Sequence, residues 1–430
     1  MNIPLDRLYH YIENIAEEIH GDCVIIYRFW PHGSKNIDDL NILHELKSDW
    51  YERNIYPSIW CNDQEPLDYE FYKTNTRQLT SKYIDCLKTN NTYLPPDNLK
   101  YFKGMFEKGL LLHSEKRSSN VIKYQQSNEF IPIYYWSHAV LARDWFRFAE
   151  HVKQTKNVKK IFLIYNRAWS GTREYRLRFT EMLVTMELIN QCKTSVSFIE
   201  PGLNLHYNFH TFKNPKWKPT IVLENFFPIN TAPSHYSADF DIEDYKTTDI
   251  EVVLETLFDD NRLHLTEKSL RPIACGQPFI LAGTHLSLEY LQSYGFKTFA
   301  HIWDETYDQE INSLHRLNSI TTLMQQIANW PLDVRQHKMA EARAIAEYNR
   351  QHFFSKEFFN LIIGELKTNL ILAFDDLRQC DNYTAWSNRW SQLLSIPDIL
   401  NFINNNHDES LPTKKYIDLM IDLAKRKLNK

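Results

Sequence analysis

Two hydrophobic periodicities alternate along the chain, and each predicts a different element. Short apolar runs rich in β-branched and aromatic residues predict strands at 23–29, 58–61, 109–112, 130–135, 161–165, 196–199, 250–257 and 279–282. Apolar residues three or four apart predict helices at 5–19, 139–152 and 172–189, and from 314 onward nearly the whole chain has this spacing. The alternation is typical of α/β folds with mainly parallel sheets.

The organisation into domains follows from length and from one polar stretch. A chain of 430 residues exceeds what one hydrophobic core usually supports. The stretch KQTKNVKK at 153–160 is the best linker candidate. We therefore expect an α/β domain over 1–155, a second α/β domain over 156–355 and a helical extension over 356–430. The segment 201–219, rich in His, Asn, Pro and Trp, predicts an ordered insertion.

Composition narrows the partners without naming them. The formal net charge of −5 gives no overall attraction to nucleic acid, although a local basic channel would not show in this sum. Six cysteines without paired spacing predict reduced core residues, and no run approaches a membrane span or a signal peptide. These features predict a cytoplasmic protein that is not inserted in a membrane.

The segment 250–283 carries the most specific chemistry. A predicted strand is followed by Thr266, placed to cap a helix that Glu267 and Lys268 open, and Gly276 stands where a left-handed C-terminal cap is needed. A helix start with a lysine favours a diphosphate, and a neighbouring carboxylate can bond a ribose hydroxyl. The alternative is an ordinary αβ unit in which Glu267 and Lys268 form a surface pair.

A second polar segment, NRAWSGTREYR, directly follows the predicted strand at 161–165. It therefore lies at the carboxyl edge of a sheet, where open α/β folds bind ligands. Arg167, Arg173 and Arg176 could make forked hydrogen bonds to a diphosphate leaving group. Alternatively, they are solvated or paired with carboxylates such as Glu174.

Candidates for acceptor chemistry follow the strands of the first domain. Asp63 and Glu65 come after the strand at 58–61 and are the candidate bases, with turn capping and surface pairing as alternatives. His113 and His138 also follow strands and could bind an acceptor, act as a base, or simply be hydrogen-bonded.

One acidic pair has the spacing of a metal site. Asp239 and Asp241, one residue apart, have the spacing of a metal-binding acidic pair, but an acidic loop is the simpler interpretation, and we assign no metal.

The segment 250–283 resembles the donor-binding signature of bacterial and animal α1,3-fucosyltransferases. The matching residues are Glu255 on the strand, Thr266, Glu267, Lys268 and Gly276, while an aromatic position of that family falls on His264. The sequence SIWCNDQEP resembles the first-domain strand of the same family, which places Glu65 at its catalytic position. The chain as a whole is similar to uncharacterised glycosyltransferases encoded by tailed bacteriophages.

This resemblance implies a GT-B-like fold: two Rossmann-like domains facing a substrate cleft, followed by the helical extension. It implies an inverting glycosyltransferase that uses a nucleotide-sugar donor and needs no metal or other cofactor. Its donor site would comprise Glu255, His264, Thr266, Glu267 and Lys268, to which the position of the second polar segment adds Arg167, Arg173 and Arg176. The acceptor would be a hydroxylated pyrimidine in phage DNA, in the host cytoplasm, or else a glycan. The alternative from another class is a non-catalytic module that binds nucleotide, carbohydrate or nucleic acid.

Overall fold

The structure is a computed structural model, and it describes residues 12, 14–16, 18, 23–28, 41–42, 55–62, 64–70, 73, 109–127, 130–151, 155–201, 203–227 and 240–379. The chain divides into two compact units. The N-terminal unit comprises Leu5–Ser137 with Ile363–Lys430, and the central unit comprises Met1–Pro4 with His138–Ile362. The domain boundaries expected at 155 and 355 stay predictions.

The N-terminal unit contains a five-stranded sheet that is parallel except at one edge. Its strands are β1 (Cys23–Arg28), β2 (Asn41–Ile42), β3 (Ile55–Cys61), β4 (Gly109–His113) and β5 (Phe130–Tyr134), in the order β2-β1-β3-β4-β5. Only the short edge strand β2 runs antiparallel to its neighbour among these strands. Buried residues of β3 and β4, such as Ile59 and Leu112, form part of the core. The sheet aligns the carboxyl ends of β3, β4 and β5 along one edge.

The central unit contains a parallel four-stranded sheet. Its strands are β6 (Lys160–Asn166), β7 (Cys192–Val196), β10 (Thr248–Leu254) and β11 (Phe279–Ala282), in the order β11-β10-β6-β7. Every residue of β10 and β11 is buried, which explains the continuous apolar run of β11, whereas β10 also buries the carboxylates of Asp249 and Glu251. A two-stranded antiparallel sheet pairs β8 (Ile199–Glu200), just before the predicted insertion, with β9 (Leu205–His206), inside it.

Helices connect and follow these strands. They are α1 (Ser119–Gln126), α2 (Ser137–Trp145), α3 (Tyr175–Thr185), α4 (Ile242–Thr247), α5 (Glu267–Ala274), α6 (Ser287–Ser293), α7 (Ser313–Ala328), α8 (Leu332–Phe354) and α9 (Lys356–Gln379). The mixed α/β class expected from the sequence is therefore confirmed, with parallel sheets in both units. Within the described residues, no helix is both long and apolar enough to cross a lipid bilayer.

One predicted strand is misplaced. The sequence predicts a strand at 196–199, whereas β7 spans Cys192–Val196. Only Cys192 and the last two residues of β7 are buried, and Lys193 and Thr194 are polar. The strand therefore lacks the apolar run by which strands were predicted.

The proposed linker is not a free connection on its carboxyl side. The Lys156 ammonium donates to the carbonyls of Tyr245 and Thr248, at 2.6 and 3.2 Å, and to the side chain of Gln277. Burial lowers the pKa of Lys156 to about 8. This lysine therefore fixes the entry to β6 against the start of β10.

Candidate functional site

The carboxyl edge of the central sheet contains a topological switch point. From β6 the chain moves to β7 on one side and later returns to β10 on the other side. Loops that leave two such strands in opposite directions open a crevice, and open α/β sheets bind ligands there. The segment after β6 begins with Arg167, and the segment after β10 begins with Glu255. The sequence predicts ligand-binding residues in both of these segments.

Glu255 connects the end of β10 to the start of α5. Its carboxylate accepts from the backbone N–H groups of Thr266 and Ser269, at 3.0 and 3.3 Å, and from both of their hydroxyls. It also accepts from the N–H of Thr256 at 3.0 Å. The anion position at this helix start is thus filled by a side chain of the protein itself. Glu255, expected to bind the donor, holds the site together in this structure.

Thr266 is the N-cap of α5, as the sequence predicts. Its hydroxyl donates to Glu255 at 2.8 Å and accepts from the backbone N–H of Lys268 at 3.4 Å. At the other end of the helix, Gly276 has a φ of +61° and confirms the predicted left-handed cap.

Glu267 and Lys268 form an ion pair at the first turn of α5, in which Glu267 is buried and Lys268 is partly buried. Glu267 Oε1 lies 2.8 Å from Lys268 Nζ, and the Glu267 side chain is only 5 % exposed. The Lys268 ammonium also lies 3.3 Å from the hydroxyl of Thr266, and its third N–H has no acceptor among the described residues. The pair does not lie on the open surface, in contrast to the alternative interpretation from the sequence.

Two histidines adjoin this pair. His138 Nδ1 lies 3.3 Å from Glu267 Oε2, and the rings of His138 and His264 meet edge to face with centroids 5.3 Å apart. Burial on its own would raise the pKa of Glu267, but Lys268 and His138 together hold it well below its ordinary value. Glu267 is therefore a carboxylate at physiological pH. His138, expected on the acceptor side, lies beside the expected donor carboxylate.

The Arg176 guanidinium hydrogen-bonds the backbone on both sides of the switch point, after β6 and at the end of β10. It donates to the carbonyls of Ala168 and Leu254, both at 2.7 Å, and of Glu255 at 3.0 Å. Because these bonds engage its terminal nitrogens, Arg176 ties the ends of β6 and β10 together. Its expected contact with a diphosphate has no support in this geometry, and its role here is to position the two loops.

Arg167 and Arg173 have different surroundings. The buried Arg167 guanidinium lies over the ring of Tyr165, 5.0 Å from its centroid. Arg173 is half-buried and donates through Nε to the carbonyl of Ser170 at 3.4 Å, and its guanidinium has no carboxylate partner among the described residues. Of the three arginines, Arg173 is the best placed to accept an anionic ligand.

Glu200 fixes the loop that carries these arginines, and sequence reasoning missed it. Its buried carboxylate accepts from the backbone N–H groups of Trp169 and Ser170, at 2.7 and 3.1 Å. The only sequence signal was an isolated acidic residue at the end of an apolar run, which does not distinguish an anchor from a solvated group.

The acceptor-side candidates lie in the N-terminal unit, at the carboxyl edge of its sheet. Glu65 is half-buried in the loop after β3, and His113 is the buried last residue of β4. Burial lowers the pKa of His113 to about 4, and a hydrogen bond with the backbone of Glu115 partly opposes this decrease. The low pKa favours the neutral imidazole at physiological pH, a form that can hydrogen-bond an acceptor hydroxyl. Asp63 lies outside the described residues.

The described residues contain no group of three or more His, Cys, Asp or Glu side chains arranged to hold a metal ion. Asp241 is the N-cap of α4 and accepts from the N–H of Glu243 at 2.9 Å, while Asp239 lies outside the described part of the chain.

The chain was compared with protein-family models, curated proteins and solved structures. No family model, curated protein or solved structure matches it.

Proposed function

We propose that this chain is an inverting glycosyltransferase with a GT-B-like arrangement, which transfers a sugar from a nucleotide-sugar donor to a hydroxyl. The observation that carries the proposal is the ion pair of the buried Glu267 and the partly buried Lys268 at the start of α5, beside the switch point of a parallel sheet. This is the place where such folds bind nucleotides, and the pair supplies both groups that a nucleoside diphosphate needs.

Each donor contact has a matching group. The ionised Glu267 would accept hydrogen bonds from the ribose hydroxyls, since a carboxylate is an acceptor only. Lys268, with an N–H to give, and the half-buried Arg173 would hold the phosphates. Their positive charge stabilises the diphosphate as the bond to the sugar breaks.

The transfer itself requires a base on the acceptor hydroxyl. The acceptor oxygen forms a bond to the anomeric carbon, the bond from that carbon to the diphosphate oxygen breaks, and the base takes the hydroxyl proton. Glu65, half-buried after β3, is the residue that we assign to this step. The acceptor that we favour is a hydroxylated pyrimidine in DNA, whose binding would weaken steeply with salt, whereas binding of a glycan would not.

A thermal-shift screen across sugar nucleotides tests donor binding. A donor that binds only the folded protein, at about a hundredfold excess over its Kd, stabilises it by about 2.7 kcal/mol. We expect one nucleotide class to raise the Tm of the wild type by several degrees. The Lys268→Ala variant should lose this shift.

Lys246→Ala is the matched control, because Lys246 is a lysine of the same unit paired on the surface with Glu243. It should respond to the donor as the wild type does. A shift that survives Lys268→Ala, or the absence of any shift across the screen, would contradict the proposed donor site. Binding without turnover would favour the non-catalytic module.

A further inference from the structure

Two polar side chains lie side by side at the carboxyl edge of the N-terminal sheet. Asn62 directly follows β3, and His113 ends β4. The pair Cys61 and Leu112 is in register across these parallel strands, and the N–H of Asn62 donates to the carbonyl of Leu112 at 3.1 Å. The next position in register therefore brings Asn62 beside His113 on strands about 4.8 Å apart.

Both side chains are buried and carry an atom without a hydrogen-bond partner. Asn62 is 3 % exposed and His113 is 4 % exposed. Asn62 Oδ1 and His113 Nδ1 have no partner in the described structure. Leaving such a group unsatisfied costs about 1–3 kcal/mol, so two neighbouring ones require an explanation.

The loops around these atoms are braced rather than loose. The buried carboxylate of Glu115, after β4, accepts from the N–H of Leu67, after β3, at 2.7 Å. The Asn120 amide donates to the carbonyl of Leu67 at 2.8 Å. A second acceptor bond from Glu115 engages the hydroxyl of Ser118. The two loops are thus cross-linked, and the unsatisfied atoms do not result from a poorly packed edge.

We propose that Asn62 and His113 form a binding site for a hydroxyl of an uncharged ligand. A hydroxyl is both a donor and an acceptor, so one such group can donate to Asn62 Oδ1 and bond His113 Nδ1. His113, with its pKa near 4, is neutral at physiological pH, and an amide next to a neutral imidazole offers no charge to an anion. The inference rests on the proposed function, in which this hydroxyl belongs to the sugar acceptor.

Matched probe pairs test the site and distinguish the two sources of the hydroxyl. The first pair is 5-hydroxymethyl-2′-deoxyuridine and thymidine, which has the same deoxyribose hydroxyls but lacks the hydroxyl on the C5 methyl group. The second is methyl β-D-glucopyranoside and 2-methoxytetrahydropyran, which lacks the ring hydroxyls. In saturation-transfer NMR with the full chain, we expect one hydroxylated probe to bind at least tenfold more tightly than its match. Asn62→Leu and His113→Phe should each remove that preference.

Stability separates a ligand site from a structural one. Because an unsatisfied buried acceptor destabilises the fold, Asn62→Leu should leave Tm unchanged or raise it, whereas His113→Phe also loses a hydrogen bond with the backbone of Glu115 and should lower Tm only slightly. His352→Phe is the control, since His352 Nε2 bonds the carbonyl of Tyr294 at 2.7 Å, and this variant should lower Tm.

Two results would overturn the inference. One is equal or absent binding of the two members of both probe pairs. The other is a fall in Tm for both variants as large as in the control, which would mean that an ordered water ties the two groups into the fold. We expect the donor shifts in the thermal screen to be the same in Asn62→Leu and His113→Phe as in the wild type. Failure here with intact donor binding would therefore leave the proposed function standing.

Discussion

Glu255 accepts hydrogen bonds from five donors of Thr256, Thr266 and Ser269 while fully buried. A carboxylate is only an acceptor and has about four lone-pair sites, so five donors occupy all of them, and the longest bond, from the N–H of Ser269 at 3.3 Å, shares one. The same carboxylate offsets the partial positive charge of the α5 start. One residue therefore sets where α5 begins and where Lys268 lies.

Replacing Glu255 by Gln should destabilise the protein by about 2–3 kcal/mol. The glutamine NH2 would face N–H and hydroxyl groups that now donate to the carboxylate, so hydrogen bonds would be lost. Chemical denaturation of the two proteins measures this. Glu289→Gln, on the exposed side of α6, should change the free energy of unfolding by less than about 0.5 kcal/mol. Equal effects of the two substitutions would show that the network around Glu255 contributes little.

The His138 ring lies against the Glu267 carboxylate, so we expect His138 to orient that carboxylate. Its ring, 3.3 Å from the carboxylate and edge-on to His264, limits the orientations open to Glu267. We expect His138→Ala to weaken donor binding about tenfold, a cost of about 1.4 kcal/mol, measured by isothermal titration. His151→Ala, which removes an exposed histidine, should leave the affinity unchanged. Unchanged affinity in both variants would exclude a positioning role for His138.

At the scale of elements, the sequence predicts apolar strands more accurately than strands that contain polar residues. Strand β11 occupies the predicted residues, and α5 starts after the predicted cap. Strand β10 ends at Leu254, three residues before the predicted end, because the chain turns at Glu255 to cap α5. Hydrophobic periodicity shows which residues prefer burial, but it does not show that a charged residue next in line will be buried as an anchor.

Two glycines should respond in opposite ways to the same substitution. Gly276, at φ +61°, ends α5, and alanine there should cost about 1 kcal/mol. Gly364 lies inside α9 with open space around it, so alanine should stabilise the protein by roughly 0.5–1 kcal/mol. Thermal unfolding of the two variants measures both. Destabilisation by Gly364→Ala would contradict the helical environment assigned to it.

Stability of the whole molecule should depend on pH through two acids, the half-buried Glu305 and the buried Asp308. Burial raises the pKa of Glu305 from 4.5 to about 7 and that of Asp308 from 3.8 to about 6. An acid whose pKa is higher in the folded state favours folding most at low pH, and this contribution falls as the pH rises between the two values. Stability from these groups should therefore decrease between about pH 4 and 7.

Glu305→Gln tests this dependence. In the wild type the Phe299 N–H donates to the Glu305 carboxylate at 3.0 Å, and the glutamine amide oxygen can accept the same bond without titrating. The difference in Tm between pH 5 and pH 7.5 should shrink in this variant. Asp304→Asn, at an exposed neighbouring position, should keep the wild-type difference. A wild-type profile in both variants would contradict the assignment.

The central site could be predicted from sequence in its residue types but not in its roles. The structure brings Glu267, Lys268, His264 and His138 together, and the expected order of strand and helix supplied three of them. Arg176 looked like a phosphate ligand, and no pattern shows that its guanidinium faces three backbone carbonyls. Asn62 had no signal, because its importance depends on the neighbouring strand.

Release of nucleoside diphosphate from a bound sugar nucleotide is the most direct test of the account. With the donor found by thermal shift, the wild type should release the diphosphate slowly to water and faster with an acceptor. Lys268→Ala should lower the rate at least tenfold at saturating donor, and Lys246→Ala should retain it. A donor that binds tightly but is never cleaved, or release that persists unchanged in Lys268→Ala, would contradict the transferase site at α5.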